Sequence, residues 1–387
     1  MSAPADEVIV IGSGFGGAAC ALRLVEAGMR VTLLERGPWR DTVPVRSMGI
    51  AARAPLPRGR RALRDLLRTV RHRWLPGGSV TVNARGLFEL HLDRGLHVVC
   101  SANVGGGSHV YSGLNLRPPD PTWWDSVAPG LSERALAASY ARVFARMETR
   151  EPLADDHLPN TLAARFGANP AFDVAGADHE LGMGLRFPET PGQPRLVRTA
   201  DGIERWEARP GEEGNLGSIG GGKTTLDFAF IAPAISAGLR VLDLHEVRRI
   251  ARSPAGYEIR ARNHHNGRDE TLTAPRVVLA AGTLNTVRLL LEGVAAGGLA
   301  AMPTLGERFG GNGDFFGYWK LDDTTRDLSA SMPAHGFLRL AETDPLGPGR
   351  AWPAIAEGAL PPPHQLPLGR WVSRLLRHGS FVAGMGA

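Results

Sequence analysis

A glycine-rich turn near the start of the chain constrains the fold more than any other feature of the sequence. Gly12, Gly14 and Gly17 follow one apolar run, and a second apolar run ends at Glu35. In this spacing Gly12 permits a tight turn, Gly14 lets the backbone approach a pyrophosphate, and Gly17 lets a helix pack close on the strand. The helix N-terminus offers N–H groups to the anion, and Glu35 is placed to hold ribose hydroxyls. The pattern predicts a dinucleotide site and leaves NAD and FAD both open.

Composition sets the broad class of the chain. The 387 residues are 43% hydrophobic, enough for one large or two moderate domains with a full core. Cys20 and Cys100 are the only cysteines, which excludes a disulfide framework and favours two buried, reduced thiols. The start of the chain has no charged segment followed by a long apolar one, so we expect neither a signal peptide nor a transmembrane helix, and a cytoplasmic location.

The net charge of +5 comes almost wholly from arginine, since Lys223 and Lys320 are the only lysines. Seven arginines crowd the segment 58–74, whose apolar residues recur at helical spacing: Arg58, Arg60, Arg61, Arg64, Arg68, Arg71 and Arg73, with Leu63, Leu66, Leu67, Val70 and Trp74. The pattern predicts a basic amphipathic helix, which either packs on its own domain or touches anionic lipid at the membrane surface. No stacking aromatics interleave with these charges, so we expect no nucleic-acid partner.

Further along the chain, strand and helix patterns alternate. A second glycine turn at 103–111 follows a strand-like run that ends at Cys100, and residues 131–150 are predicted to be helical. A helical pattern from 223 leads into the short strand 239–244. The apolar run 277–281 predicts a buried strand that turns at Gly282 into the helix 284–291, with Thr283 or Asn285 as its cap. Alternation of this kind around a nucleotide motif predicts a parallel sheet with helices on both faces.

Several of these stretches, in this order, resemble the glucose-methanol-choline oxidoreductases, and within them the cholesterol oxidase branch. They are Gly12 to Gly17 with Glu35, Asn103 to Gly113, His245-Glu246-Val247, Ala280 to Asn285, and the turn from Gly306 to Asp314. The resemblance implies FAD as the cofactor. The FAD-binding residues that it implies are Gly12, Gly14, Phe15, Gly16, Gly17, Glu35, Arg36, Gly105, Gly106, Gly107, Ser108, Tyr111, Asn115, Val247, Ala281, Gly282, Asn312 and Asp314.

The resemblance also implies how the cofactor lies. Glu35 holds the adenosine ribose, the Val247 backbone meets the adenine, and residues 105–108 run along the pyrophosphate and ribityl chain. The turn at Ala281 and Gly282 closes over the nucleotide end. Tyr111 departs from the family, where many relatives have an asparagine on the flavin, and Asn115 lies close enough in sequence to contribute instead.

The chemistry implied is the removal of hydride from a carbinol carbon to the flavin, with molecular oxygen or another acceptor reoxidising it. The substrate is then a small-molecule alcohol, either a sterol or another apolar secondary alcohol. A base must take the hydroxyl proton, and Glu357, in an otherwise apolar stretch, is the candidate catalytic residue. An ion-paired or solvent-facing Glu357 is the alternative.

In this family the chain continues beyond a stretch that resembles 381–387, and the continuation brings the catalytic histidine and its asparagine partner. We therefore expect an incomplete enzyme, which is a truncated gene product, a fragment of a split reading frame, or a half that pairs with a complementary C-terminal polypeptide. Two alternatives stay open: an inactive or split-gene fragment that retains only nucleotide binding, and an NAD(P)-dependent dehydrogenase. The second is disfavoured because neither lysine follows a tyrosine by four residues, as a Tyr-x-x-x-Lys pair requires.

The predicted fold is α/β, with a discontinuous, FAD-binding, Rossmann-like parallel sheet and an α+β substrate domain. The predicted segments are an FAD-binding part at 1–125, in which 41–95 is an insertion carrying the basic helix, a substrate-domain part at 126–222, a second FAD-binding part at 223–305, and a second substrate-domain part at 306–387. No metal site is predicted.

Overall fold

A computed structural model gives the fold of this chain and divides it into two compact units. It describes residues 6–118, 123–128, 130–151, 172–173, 182–311, 315–320, 322, 327–334, 336–340, 354–358, 360–362, 365 and 370–385. The first unit comprises Met1–His109, Ala200–Ile203 and Thr225–Phe309, and the second comprises Val110–Thr199, Glu204–Thr224 and Gly310–Ala387. The sequence predicts that the first FAD-binding segment ends at residue 125. In the structure, the first segment of the first unit ends at His109.

The helices and strands are distributed along the whole described chain. The α-helices are α1 (Phe15–Glu26), α2 (Val43–Ser47), α3 (Ala62–Leu66), α4 (Trp123–Val127), α5 (Glu133–Arg146), α6 (Ala232–Ser236), α7 (Thr283–Ala295) and α8 (Arg370–Arg377). Single turns of 3-10 helix lie at Gly59–Arg61, Pro76–Gly78, Gly106–His109 and Leu328–Ala330, and a π-helical turn lies at Asp227–Ile231. The strands are β1 (Glu7–Ile11), β2 (Arg30–Leu34), β3 (Leu67–Arg71), β4 (Ser79–Thr81), β5 (Phe88–Asp93), β6 (Leu96–Ser101), β7 (Thr149–Arg150), β8 (Phe172–Asp173), β9 (Met183–Gly184), β10 (Leu196–Arg198), β11 (Glu204–Trp206), β12 (Arg240–Leu242), β13 (His245–Ser253), β14 (Gly256–Asn263), β15 (Arg268–Ala274), β16 (Arg276–Leu279), β17 (Phe315–Lys320), β18 (Gly336–Leu340), β19 (Ala354–Gly358) and β20 (Gly379–Met385).

The centre of the first unit is a four-stranded parallel sheet in the order β12-β2-β1-β16. Its inner strand β1 is a run of branched apolar residues after Glu7, of which Val8, Ile9 and Val10 are at most 2% exposed. A strand buried on both faces is expected to be continuously apolar, as this one is. β16 is distant from β1 in the sequence but pairs with it in parallel. The predicted parallel sheet, built from separate parts of the chain, is confirmed.

A second sheet of this unit corrects one prediction. The segment 58–74 is not a basic amphipathic helix: α3 ends at Leu66, and the chain continues as β3 in a sheet of order β4-β3-β5-β6. Thr69 and Val70 pair with β4 on one side and β5 on the other, and β-branched residues favour a strand. Arg68 is fully buried instead of lying on a solvated helix face. Contact of this segment with a membrane therefore stays a prediction, and the amphipathic helix from which it was inferred is not formed.

A third sheet, β13-β14-β15, is antiparallel and packs its apolar side with α7. Ile250, Ile259 and Leu289 belong to one buried cluster with Ile9 of β1. The predicted cap of α7 is wrong. The helix starts after Gly282, whose φ is +78°, and no side chain caps it, while Asn285 is buried. The segment after Lys223 also differs from one predicted helix, because a π-helical turn and the short α6 precede β12.

The second unit contains an antiparallel sheet of order β17-β20-β19-β18-β8. A separate core cluster contains Met183, Leu185, Phe187, Ala208, Met332 and Ala334. The predicted helix at 131–150 is α5, which Ser132 caps by accepting a hydrogen bond from the Ala135 N–H. Sheet and helix together give this unit the predicted α+β character.

The described residues contain neither a membrane-spanning helix nor a cluster of metal-ligating side chains. None of their helices is long and apolar enough to cross a membrane. No group of three or more histidine, cysteine or acidic side chains in the described ranges is arranged to hold a metal ion.

Candidate functional site

A cavity of the first unit opens where the parallel strands β1, β2 and β16 end. In sheets of this kind, ligands bind outside the carboxyl ends of the strands. The residues that line it are Ile11, Gly12, Ser13, Gly14, Leu34, Glu35, Arg36, Cys100, Ser101, Gly106, Gly107, His245, Glu246, Val247, Ala280, Ala281, Gly282, Thr283, Leu284, Asn285, Arg288 and Leu289. The fold thus brings together four of the five stretches that the sequence singled out.

The glycines of the first turn differ in what surrounds them. Gly12 has a φ of +98°, and a Cβ atom there would lie 2.3 Å from the Ala280 carbonyl oxygen. A Cβ atom on Gly17 would lie 1.9 Å from the Gly12 oxygen, so α1 passes against the turn that precedes it. Around Gly14, which is the N-cap of α1, nothing lies within 4 Å of an added Cβ atom. The open side of Gly14 therefore faces the space that a ligand can fill.

Glu35 sits at the end of β2 with its side chain 6% exposed. One of its carboxylate oxygens accepts hydrogen bonds from the Ser13 N–H at 3.1 Å and the Ser13 hydroxyl at 2.7 Å. The other accepts from the Gly37 N–H at 2.8 Å. A carboxylate has about four acceptor positions, so these bonds fix its orientation and leave it able to accept from a ribose hydroxyl.

The second glycine turn lies directly against the first. Gly106 has a φ of +52°, and a Cβ atom there would lie 2.6 Å from the Gly14 Cα atom. Ser13 joins the two turns, because its hydroxyl oxygen lies 3.2 Å from the Asn103 carbonyl oxygen and accepts from the Gly105 N–H at 3.1 Å. Only glycine permits so close an approach of two backbones. Ser13 is a site residue that sequence reasoning missed, since it occupies a variable position of the motif.

Behind the second turn, two polar side chains are completely buried. Ser108 accepts a hydrogen bond from the Leu226 N–H at 3.0 Å and donates to the Gly105 carbonyl at 2.7 Å. The His109 ring is turned away from the cavity, with Nε2 3.0 Å from the Val104 carbonyl and 3.4 Å from a carboxylate oxygen of Asp227. Both side chains therefore support the turn from within the unit.

At the other end of the cavity, Val247 lies on β13 beside the charged residue Glu246. Glu246 accepts a hydrogen bond from His264 at 2.8 Å and from Arg68 at 3.4 Å. Burial alone raises the pKa of Glu246, but the His264 hydrogen bond and the charges of Arg68 and Arg36 outweigh it and lower the pKa to about 2. The buried Arg68 is a missed residue as well, because the predicted helix placed it on the surface.

The cavity fits a dinucleotide. The Asn285 side chain is 6% exposed and lines the cavity, and its Oδ1 atom finds no hydrogen-bond partner among the described residues. A buried polar atom without a partner costs about 1–3 kcal/mol, which a ligand donor removes. The N-terminus of the 12-residue helix α1 has no side-chain cap and suits a phosphate. An added Cβ atom on Gly282 also meets nothing within 4 Å, so that wall is open.

The other residues that the resemblance implied as FAD ligands lie outside the cavity lining or outside the described residues. Phe15, Gly16 and Gly17 belong to the first turn of α1, and Gly105 and Ser108 to the second glycine turn. Tyr111 and Asn115 belong to the second unit. There the Tyr111 hydroxyl donates to the Thr224 carbonyl at 3.0 Å, and the Asn115 amide donates to Thr149 at 2.9 Å. Burial raises the pKa of Tyr111. Asn312 and Asp314 lie outside the described residues.

The backbone of Glu357 is in β19, an inner strand of the antiparallel sheet of the second unit. It pairs with Gly336 on β18 and Val382 on β20. Gly358 beside it packs tightly, since an added Cβ atom would lie 2.4 Å from the Pro333 oxygen. Glu357 is thus held on a paired strand, and its catalytic role stays a prediction.

Comparison with known proteins identifies the cavity-bearing region. Residues 7–109 match the FAD dependent oxidoreductase family. Cholesterol oxidase of Mycobacterium tuberculosis strain CDC 1551 / Oshkosh is 28% identical over 326 residues, which are 79% of this chain and 50% of that protein. The cholesterol oxidase of strain ATCC 25618 / H37Rv matches equally, and the chain spans about half the length of both proteins. The cofactor, left open between NAD and FAD by the glycine spacing, is FAD, as the resemblance implied.

Two further similarities are a short sequence match and a structural match of low identity. 2-Methyl-1,2-propanediol dehydrogenase of Mycolicibacterium austroafricanum is 60% identical over 38 residues, which are 10% of this chain and 7% of that protein. Among solved structures, pyridoxine 4-oxidase from Mesorbium loti matches with a TM-score of 0.48 and 16% identity, covering 98% of this chain and 71% of that one.

Proposed function

We propose that this chain, an FAD-dependent oxidoreductase homologous to the cholesterol oxidases of the glucose-methanol-choline family, oxidises a CH–OH group of an apolar alcohol. The observation that carries the proposal is the cavity in which two glycine turns, the N-terminus of α1 and Glu35 meet. Its walls suit a dinucleotide, and bound FAD supplies an acceptor for two electrons.

The residues of the cavity divide into three groups by what they offer the cofactor. The open glycines Gly14 and Gly282 leave room for backbone contact with phosphate oxygens. Glu35 offers its carboxylate to ribose hydroxyls, and Val247 offers its backbone to the adenine. The Asn285 amide oxygen, which has no hydrogen-bond partner among the described residues, can accept from a ligand donor. These assignments are specific enough to test one side chain at a time.

For the proton of the alcohol, we assign Glu357 as the base. The reaction needs a group that accepts the hydroxyl proton as the carbon is oxidised, and the strand position of Glu357 gives it a fixed backbone. The test is the Glu357→Gln variant, which keeps the size of the side chain and removes the carboxylate. We expect turnover to fall by about 100-fold or more with FAD content unchanged. Unchanged turnover would make Glu357 structural. Glu189→Gln, at an exposed position of the same unit, is the matched control.

For the substrate, the similarity to cholesterol oxidase over 79% of the chain favours a sterol. The match to the propanediol dehydrogenase favours a small diol, but it covers only 10% of the chain. Anaerobic mixing of the FAD-loaded protein with cholesterol or with 2-methyl-1,2-propanediol separates the two. The true substrate bleaches the flavin absorption, and a protein that retains FAD and is bleached by neither alcohol contradicts the assignment.

The electron acceptor is tested in the same experiment. We propose molecular oxygen, because the relative that matches 79% of the chain is an oxidase by name. Admission of air to the bleached protein should restore the flavin colour and produce about one peroxide per alcohol oxidised. Restoration only by an added dye would assign another acceptor.

A further inference from the structure

The wall of the FAD cavity contains a cysteine with an unusual set of neighbours. Cys100 lines the cavity and is partly exposed, and it lies on β6 directly across from Glu89 of β5. His91 is two residues along β5, on the same face of the sheet as Glu89, because side chains alternate along a strand. The register therefore places a thiol, a carboxylate and an imidazole together beside the cavity.

The carboxylate in this group is surrounded by cations. Glu89 is fully buried and forms ion pairs with Arg36 and Arg71. The His91 Nε2 atom lies 3.4 Å from a Glu89 oxygen. Hydrogen bonds to Cys100 and Glu89 raise the pKa of His91 to about 9, so its ring is a cation at neutral pH. Three cations thus surround the carboxylate that lies opposite Cys100 in the strand register.

Positive neighbours favour the reaction of a cysteine as its thiolate. We propose that Cys100 is a thiol-modification site in the FAD cavity, where a hydroperoxide or another electrophile reacts with its sulfur only while the cofactor is absent. The sulfur attacks the terminal peroxide oxygen, an S–O bond forms, and the O–O bond breaks. The sulfur is oxidised to a sulfenic acid, and the peroxide is reduced to an alcohol or water.

The consequence is a link between oxidation and cofactor loading. A sulfenic acid or a larger adduct on Cys100 occupies part of the cavity and hinders FAD, whereas bound FAD covers the sulfur. This step rests on FAD binding in this cavity, but the reactivity of Cys100 in the FAD-free protein does not.

The chain carries its own control. Cys20 lies on α1, is also partly exposed, and is absent from the cavity lining. Burial raises the pKa of its thiol, so it should react more slowly. FAD-free full-length protein is treated briefly with iodoacetamide, and the modified fraction of each cysteine is measured by peptide mass spectrometry. We expect Cys100 to react at least ten times faster than Cys20, and saturating FAD to slow Cys100 at least tenfold without changing Cys20.

Two results would overturn the proposal. Equal rates for the two cysteines in the FAD-free protein would remove the reactive thiol. A fast Cys100 that FAD does not protect would remove the link to the cofactor. A protein that binds no FAD at all would instead contradict the proposed function, while the comparison of the two cysteines would still report on Cys100.

Variants separate modification from damage. Alkylated wild type and Cys20→Ser should lose FAD binding measured by fluorescence titration. Cys100→Ser should bind FAD equally before and after treatment, and a loss on treatment would contradict the assignment. His91→Gln removes the positive ring and should slow Cys100 severalfold, with His91→Arg restoring the rate. Mere loosening of the sheet would raise the rate instead. Hydrogen peroxide with dimedone trapping should label Cys100 under the same conditions.

Discussion

The glycines of the first turn have separate roles, which are visible in what an added side chain would meet. Gly12 and Gly17 are required by neighbouring backbone, since an added Cβ atom would lie within 2.3 Å of a carbonyl oxygen at each position. Gly14 is surrounded by open space. The fold therefore requires Gly12 and Gly17, and the proposed ligand requires Gly14. Their spacing in the sequence predicted this division, because the motif is set by short-range backbone geometry.

For Gly14→Val, we expect FAD affinity to fall about 100-fold or more, equivalent to about 2.7 kcal/mol, because the side chain fills the space assigned to the pyrophosphate. The unfolding temperature of the FAD-free protein should change little, since nothing lies within 4 Å of the new Cβ atom. Fluorescence titration and thermal unfolding measure the two quantities. Gly214→Val, at another glycine with open surroundings in the second unit, should leave FAD affinity unchanged. Full affinity in Gly14→Val would contradict the site.

For Gly17→Ala, the expected effect is on stability. The new Cβ atom would lie 1.9 Å from the Gly12 oxygen, so α1 must move, and we expect a loss of about 3 kcal/mol in the free energy of unfolding. Gly16→Ala, one residue earlier in the same helix and with no atom within 4 Å, should instead gain up to about 1 kcal/mol. Denaturant unfolding of the FAD-free variants checks both, and equal effects would contradict the packing described.

Other side chains of the site were out of reach of the sequence. Ser13 stands at a position that the motif does not specify, and it becomes part of the site through a contact across the fold. Asn285 lies in a stretch that the sequence singled out, but it was predicted as a helix cap and instead lines the cavity. Arg68 was assigned to a surface because its neighbours recur at helical spacing. Its burial depends on Glu246, which is 178 residues away in sequence.

The walls of the cavity come from elements that are distant in the chain, and charge holds some of them together. Arg68 of β3 and His264, directly after β14, both bind Glu246 of β13. The strand β3 was predicted as a helix because apolar residues three and four apart fit either structure over so short a segment. Pairing with β4 and β5 decided the outcome, and local spacing carries no information about those partners.

This arrangement predicts a pH dependence of stability. The pKa of Glu246 is about 2 in the folded chain against an ordinary 4.5, so its contribution is full above pH 4.5 and is lost as the pH falls toward 2. A shift of this size corresponds to about 3 kcal/mol. Glu246→Gln should therefore lose about that much stability at pH 7, and its difference from wild type should shrink below pH 4.5.

Urea unfolding between pH 7 and pH 3 measures the effect. Glu258→Gln is the control, because Glu258 on β14 pairs with Arg260 at the surface, where the pair contributes less than about 1 kcal/mol. A Glu246→Gln variant as stable as this control at pH 7 would contradict the role given to the buried group.

The chain divides into two compact units whose segments alternate along the sequence, and the domain bounds predicted from the sequence stay a prediction. The glycine motifs and the buried strand β16 place the first unit on both sides of a long intervening segment. The change of unit after His109, rather than near residue 125, could not be read from composition, since the second glycine turn runs on without a linker. The second unit lacks a comparable motif, so its sheet and the position of Glu357 within it depended on the structure.

If the cavity of the first unit holds FAD, the visible absorption spectrum of the purified, desalted chain shows the bound flavin. We expect flavin absorption that elutes with the protein at about one FAD per chain, and its loss in Gly14→Val. A folded, colourless wild-type chain that takes up no added FAD, or a Gly14→Val variant that retains the full spectrum, would contradict the account.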